Sequence, residues 1–271
     1  MGYSVLTLCF IVVSGFIFLE QDKPKSSLQT LTASVSAPGT PTAKAWAIFD
    51  PKTGAILSGV QSEKSYPIAS VTKLFIAETA LRSSEKNTAF TITYADLATE
   101  GRAGKLVYGE TVTPYSLLFP LLIESSNDAG EAIKRFLGKE YDTSIHEIED
   151  QLLLTQTHIV DGSGLSPQNT SSAHDLAILY TYIKKTHPHI LDITQLGTYI
   201  GPRTGYVNND PARSLPNFVG GKHGYTPEAG KTFVGSFTLP HSNKEIGIVL
   251  LGSDDLLHDI EKLLASDIMA Q

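Results

Sequence analysis

The 271-residue chain contains one cysteine, Cys9. A disulfide within the chain is therefore excluded, although a cytosolic enzyme would show the same count, so cysteine usage alone does not place the protein. Basic residues are also scarce. Lys and Arg number 21 against 28 Asp and Glu, giving a formal charge of −7 and a pI near 5.6. No long Lys/Arg cluster offsets that balance, which argues against nucleic acid as a partner, because phosphate binding needs a concentrated basic surface. No internal repeat is visible, and a chain of this length buries a substantial core as one large domain or two small ones.

Charge is missing altogether from Met1 to Leu19, and Tyr3–Leu19 is apolar almost throughout. As a helix this stretch would span roughly 25 Å, slightly less than a bilayer core of about 30 Å. A buried soluble helix normally keeps a polar face, and this segment has none, so membrane insertion is expected. Residues 1–22 are read as a membrane anchor or signal segment. An uncleaved anchor is favoured, because the small residues at Val35-Ser36-Ala37 lie too far beyond the apolar run for a normal cleavage site. Lys23 and Lys25 follow the run and no Lys or Arg precedes it, which runs against the usual orientation rule. Residues 23–43, rich in Ser and Thr with Pro38 and Pro41, read as a flexible linker holding the folded part, 44–271, away from a membrane.

Two apolar runs, Ala45–Phe49 and Ala55–Leu57, flank the turn Asp50-Pro51-Lys52-Thr53-Gly54 and predict a β-hairpin. Helices are expected from about Ser70 through Leu81, and over Leu117–Ile123, Ala129–Leu137, His146–Leu154 and Ser172–Lys185. Strand character returns beyond Pro211, with Lys231–Leu239 and Glu245–Gly252 separated by the turn 240–244. A terminal helix follows over Leu256–Met269. Strands at both ends with helices between them imply an α+β unit whose sheet unites the chain termini.

Three short patterns carry candidate chemistry. The first is Ser70-Val71-Thr72-Lys73. A serine hydroxyl is a poor nucleophile until a base removes its proton, and residues i and i+3 share a helix face, so the Lys73 amine can reach Ser70. For that role the Lys73 pKa must fall, through burial or a nearby cation. The pattern recurs at Ser83-Ser84-Glu85-Lys86, where a polar helix end is the better reading. The second is Ser125-Ser126-Asn127, which could relay a proton and orient a peptide bond; Ser and Asn there would equally cap the following helix. The third is Lys222-His223-Gly224, ahead of Tyr225-Thr226. A lysine there would attract a carboxylate, and Gly224 would permit close backbone approach. Lys52-Thr53-Gly54 looks similar but lies before Ser70 in a hairpin turn, where plain turn chemistry accounts for it.

In this order, Ser-x-x-Lys, Ser-x-Asn and Lys-x-Gly form the series shared by penicillin-binding proteins and serine β-lactamases. The chain resembles the D-alanyl-D-alanine carboxypeptidase family of low-molecular-weight penicillin-binding proteins. The likeness includes Phe49–Gly54, Tyr66–Leu74, Gly109-Glu110, Ser125–Ala129, Asp161–Ser166, Ala173–Ala177, Gly224–Thr226 and Ala229-Gly230, and covers roughly Ala45 to Gly252. It implies a β-lactamase/transpeptidase-like α+β fold: an antiparallel sheet built from both chain ends, flanking helices and an inserted helical subdomain. It also implies a D,D-peptidase acting on the stem peptides of peptidoglycan at the extracytoplasmic face of a bacterial membrane, with β-lactams as covalent inhibitors and no metal or organic cofactor. By the same resemblance Ser70 would be the nucleophile, Lys73 its base and Ser125 a proton relay. Asn127 would hold the substrate and Lys222 would face its carboxylate, with Gly224, Tyr225 and Thr226 along the same strand. The backbone N–H groups of Ser70 and Tyr225 would form an oxyanion hole.

One residue departs from the family pattern. His223 stands where Thr or Ser is usual, a hydroxyl that normally bonds the substrate carboxylate. An imidazole is bulkier, can donate a hydrogen bond and, when protonated at about pH 6–7, adds charge, so substrate selection is where this chain is expected to differ. A D,D-endopeptidase that cuts cross-links uses the same residues. The short stretch after Gly252 has no room for the extra β-domain and amphipathic anchor of many family carboxypeptidases, which raises that alternative. A β-lactamase is disfavoured by the absence of a convincing Glu-x-x-x-Asn segment between Asn127 and Lys222. A non-catalytic β-lactam-sensing module, with the carboxylate site closed by His223, is the alternative from another class. His187-Pro188-His189 lacks an obvious third ligand and reads as a surface loop rather than a metal site.

Overall fold

The computed structural model describes residues 40–101, 103–240 and 244–269. The expected membrane segment and most of the linker lie outside the described residues, as do positions 241–243 of the turn before the last strand. Among the described residues no helix is long and apolar enough to cross a membrane.

The chain enters the fold through β1 (Ala45–Phe49) and β2 (Ile56–Val60). Their turn is closed by Asp50, whose carbonyl accepts the Gly54 N–H at 2.8 Å, and Gly54 supplies the positive φ of 77° the turn requires. Short two-residue or three-residue ribbons follow between the helices: β3 (Tyr66–Pro67) with β6 (Thr170–Ser171), β4 (Phe90–Thr91) with β5 (Thr111–Val112), and β7 (Thr198–Ile200) with β8 (Gly205–Val207). Three nine-residue strands complete the main sheet, β9 (Phe218–Thr226), β10 (Gly230–Thr238) and β11 (Glu245–Ser253). The antiparallel order is β2-β1-β11-β10-β9, so the first strand pairs with the last, Ala47 opposite Val249.

Alternation along β1 divides the core. Ala45, Ala47 and Phe49 join the large cluster on the helical side, whereas Ile48 joins a smaller one on the opposite face. That second face is covered by α7 (Leu256–Met269), which contributes Leu256, Ile260 and Leu263. On the first face α1 (Lys73–Arg82) runs through the middle of the molecule, buried at every position before Arg82. Around it stand α2 (Pro114–Ile123), α3 (Asn127–Leu137), α4 (Lys139–Leu152), α5 (Ala173–Thr186) and α6 (His189–Gln195). Helix α2 begins at a reciprocal cap, with Thr113 and Ser116 each satisfying the other's backbone N–H and Pro114 at the first helical position.

Two boundaries differ from the expectation. Helix α4 starts seven residues before His146, at Lys139, because Tyr141, Ile145 and Ile148 form one buried stripe that its polar first turn conceals. It stops at Leu152, and Leu153 closes it in the left-handed region at φ 55°. The folded part also begins before residue 44. The buried Asp259 of α7 accepts Thr42 N–H at 2.8 Å, Thr42 Oγ1 at 2.6 Å and Ala43 N–H at 3.1 Å, so the end of the expected linker is fixed.

Candidate active site

A short 3-10 turn, Ala69–Thr72, delivers Ser70 to the start of α1. Ala69 enters it at φ 48°, a left-handed conformation that costs a non-glycine residue about 1 kcal/mol. Its surroundings enforce that conformation. The Ile68 carbonyl accepts from Thr232 Oγ1 at 2.9 Å, and the Ile68 N–H donates to Asn169 O at 3.0 Å.

Lys73, one turn on, is fully buried. Its Nζ lies 2.8 Å from Ser70 Oγ and 2.8 Å from Asn127 Oδ1, and it also bonds the Ser163 carbonyl. Two of those oxygens can only accept. The Asn127 amide is oriented by the Glu100 carbonyl, which takes Nδ2 at 2.8 Å and so turns Oδ1 towards Lys73. A neutral Lys73 amine would give its two N–H bonds to Asn127 and Ser163 and aim its lone pair at the Ser70 hydroxyl. Burial, followed by the charge of Lys222, pushes Lys73 well below the ordinary lysine range, while Asp161 and Glu131 pull the other way.

The Ser163 carbonyl is held by the loop Asp161–Asn169. Asp161 accepts the N–H of Gly164 at 2.7 Å and of Ser166 at 2.8 Å, and Asn169 Nδ2 at 2.7 Å. Gly164, at φ 82°, lies so close to the Ala69–Thr72 turn that a Cβ would come within 2.5 Å of the Ala69 carbonyl.

In Ser125-Ser126-Asn127 the capping role falls to the middle residue, and the outer two line the cleft. Ser126 caps α3, its Oγ accepting from Ala129 N–H at 3.1 Å and donating to Ala103 O at 2.6 Å. Ser125 sits at φ 57° and lines the cleft beside Ser70. Among the described residues no hydrogen bond joins Ser125 to Lys73. Asn127 lines the same cleft, but both ends of its amide are engaged by Lys73 and Glu100, a placement the expectation of a substrate-holding amide did not include.

Strand β9 forms the opposite wall. Gly224 lies directly against the Ser70 turn, where a Cβ would fall 2.6 Å from Ser70 N. His223, Gly224, Tyr225 and Thr226 line the cleft, which encloses about 250 Å³. Tyr225 is largely exposed, whereas Thr226 is buried and its Oγ1 accepts the Ala229 N–H at 3.1 Å. Lys222 is buried behind them and donates to the His223 carbonyl at 2.7 Å. Burial pushes its pKa down to about 8, with Asp210 opposing.

Asp210 was not legible as a site residue. Its Oδ2 accepts the His223 N–H at 3.1 Å and lies 3.3 Å from His223 Nδ1. Burial alone would raise Asp210, but the His223 side chain and the Lys222 charge bring it below the usual carboxylate range. The His223 ring is itself held below the ordinary imidazole value, first by burial and then by the Lys222 charge, with Asp210 opposing.

The look-alike motifs lie elsewhere. Ser83 terminates α1, and Lys86 Nζ donates to the Leu81 carbonyl at 3.4 Å. Lys52-Thr53-Gly54 remains in the β1–β2 turn. His187 and His189 turn to different partners, the first to buried Glu78 at 2.9 Å and the second to Tyr115 Oη at 2.9 Å.

Known proteins resemble this chain in sequence and in fold. A family model described as D-alanyl-D-alanine carboxypeptidase matches residues 31–254. The D-alanyl-D-alanine carboxypeptidase DacB2 of Mycobacterium tuberculosis is 31% identical over 214 residues, 75% of this chain and 72% of the relative. A D-alanyl-D-alanine endopeptidase of Haemophilus influenzae is 28% identical over 223 residues, covering 78% of this chain and 76% of its own. The crystal structure of a D-alanyl-D-alanine carboxypeptidase from Mycobacterium tuberculosis H37Rv superposes with a TM-score of 0.78 at 27% identity, covering 88% of this chain and 95% of the other.

Proposed function

The chain belongs to the D-alanyl-D-alanine carboxypeptidase family, and from that premise we propose that it removes the terminal D-alanine of peptidoglycan stem peptides through an acyl-enzyme on Ser70. The observation that carries the reading is the 2.8 Å approach of a buried, pKa-lowered Lys73 amine to Ser70 Oγ. Lys73 takes the hydroxyl proton as Ser70 attacks the carbonyl between the two D-alanines. The negative charge that develops on the carbonyl oxygen falls between Ser70 N–H and Tyr225 N–H, donors of the kind worth about 3–4 kcal/mol each in such sites. The tetrahedral intermediate collapses, the C–N bond breaks, and the amine of D-alanine leaves with a proton passed from Lys73 by way of Ser125. Water then attacks the ester, with Lys73 again accepting a proton, and Ser70 is regenerated. Lys222 supplies positive charge beside the incoming carboxylate, and Asn127 positions Lys73.

β-Lactams would acylate the same oxygen, because they present a strained amide to the same machinery, and would leave slowly, because the amine released by ring opening stays tethered to the acyl group. The protein would work outside the cell membrane, where its substrate lies, tethered through residues 1–22.

The match to an endopeptidase favours a second reading, cleavage of the peptide cross-link between two stems by the same residues. Incubating the protein and Ser70→Ala with pentapeptide monomers and with cross-linked dimers separates the two. Free D-alanine from monomers supports the carboxypeptidase, and resolved dimers the endopeptidase. Turnover of neither, with penicillin still bound at Ser70, would overturn both in favour of a sensor.

A further inference from the structure

His223 brings a titratable ring to the cleft wall at a position one residue from the Gly224 contact with Ser70. Asp210 reaches that ring from the loop before the 3-10 turn Pro211–Ser214. Resting on the carboxypeptidase reading above, we propose that Asp210 and His223 form the specificity determinant of the site: Asp210 positions and charge-balances the imidazole, which must be protonated to receive the terminal carboxylate of the stem peptide.

Asp210 is fixed on every side. Its Oδ1 caps Ala212 N–H at 2.9 Å, its own N–H donates to Asn208 Oδ1 at 2.9 Å, and its Oδ2 holds the His223 N–H at 3.1 Å. His223 Nδ1 is buried, has no well-aligned hydrogen bond among the described residues, and faces Asp210 Oδ2 at 3.3 Å. The ring nevertheless lines the cleft and its side chain is 21% exposed, so the edge it offers a ligand is the one away from Nδ1. With the proton of the neutral ring drawn to Nδ1 by Asp210, Nε2 presents a lone pair, which repels a carboxylate. Only the imidazolium donates from Nε2.

The charges facing the ring set the direction of the effect. Lys222 beside it on β9 and Lys73 from α1 oppose protonation, and Asp210 favours it. Lys231 and Asp255 line a second cleft that His223 also borders. Together the cations and burial hold the ring below the ordinary imidazole value. An arriving carboxylate adds a second anion to Asp210, and the proton is taken up with the substrate.

The test is steady-state release of D-alanine by the full-length protein from a diacylated L-lysyl-D-alanyl-D-alanine peptide, between about pH 5 and about pH 8. For the native chain KM is expected to rise about tenfold per pH unit above the His223 titration, without a matching fall in kcat. His223→Thr flattens KM below the Lys222 range. Asp210→Asn keeps one acceptor, enough for the Ala212 cap, but removes the anion, and moves the rise in KM to lower pH. A pH-independent native KM, a rise that survives in His223→Thr, or an unmoved rise in Asp210→Asn overturns the pairing while leaving the carboxypeptidase reading intact. No D-alanine release by the native chain at any pH sinks that reading and the pairing with it.

Discussion

Lys73 is held between two oxygens that only accept and one hydroxyl that can donate, so its neutral form fits the site without an unsatisfied group. Lys73→Arg would install a permanent cation in that position. D-alanine release is expected to fall by about 10²–10⁴-fold, the usual contribution of a general base, with the native fold retained by circular dichroism. The same burial makes stability depend on pH. The folded pKa lies below the unfolded value near 10.5, so the unfolded chain binds the extra proton, and Lys73 costs stability below its folded pKa. That cost disappears as pH rises towards 10.5. The melting temperature of the native chain should therefore gain on that of Lys73→Met between neutral and alkaline pH; a constant difference would contradict a depressed Lys73. Side-chain types made Ser70, Lys73 and Lys222 legible from sequence order. Ser163 contributes only a backbone carbonyl, which has no sequence signature. Asp210 before Pro211 looks like an ordinary turn residue, and it does cap Ala212 N–H, which concealed its second contact with His223.

Among the elements, the loop Asp161–Asn169 matters most to the site, because it supports both the Lys73 amine and the turn before Ser70. Asp161→Ala removes three hydrogen bonds to that loop. A loss of about 2–4 kcal/mol is expected from urea unfolding, together with a fall in kcat larger than any change in KM. Unchanged kcat would mean that the Ser163 carbonyl has no part in holding Lys73. The long strands and amphipathic helices were readable by period, since one buried face leaves a pattern. The short ribbons and α6 were not, because two-residue to seven-residue elements are specified by their tertiary contacts rather than by their own sequence. The polar start of α4 was hidden for the same reason, its buried stripe becoming evident only against α1.

At the scale of the molecule, pairing of β1 with β11 and the clasp of Asp259 on Thr42 and Ala43 close the fold through its two ends. The uniting of both ends in one sheet was legible from strands at the two termini; the clasp was not, since a single Asp on a helix gives no hint of a partner more than 200 positions away. Asp259→Ala should lower the melting temperature by on the order of 5–10 °C while leaving KM for the peptide unchanged, because the clasp lies on the face of the sheet away from Ser70. The sheet thus closed fixes β9 against the Ser70 turn, and everything proposed for the site depends on that oxygen being the nucleophile. The most direct measurement is the mass of the protein after brief exposure to benzylpenicillin, with the adduct located by proteolysis. One adduct on the peptide containing Ser70, absent from Ser70→Ala and formed much more slowly by Lys73→Arg, is the predicted result. An adduct on another serine, or unimpaired labelling of Lys73→Arg, would contradict it.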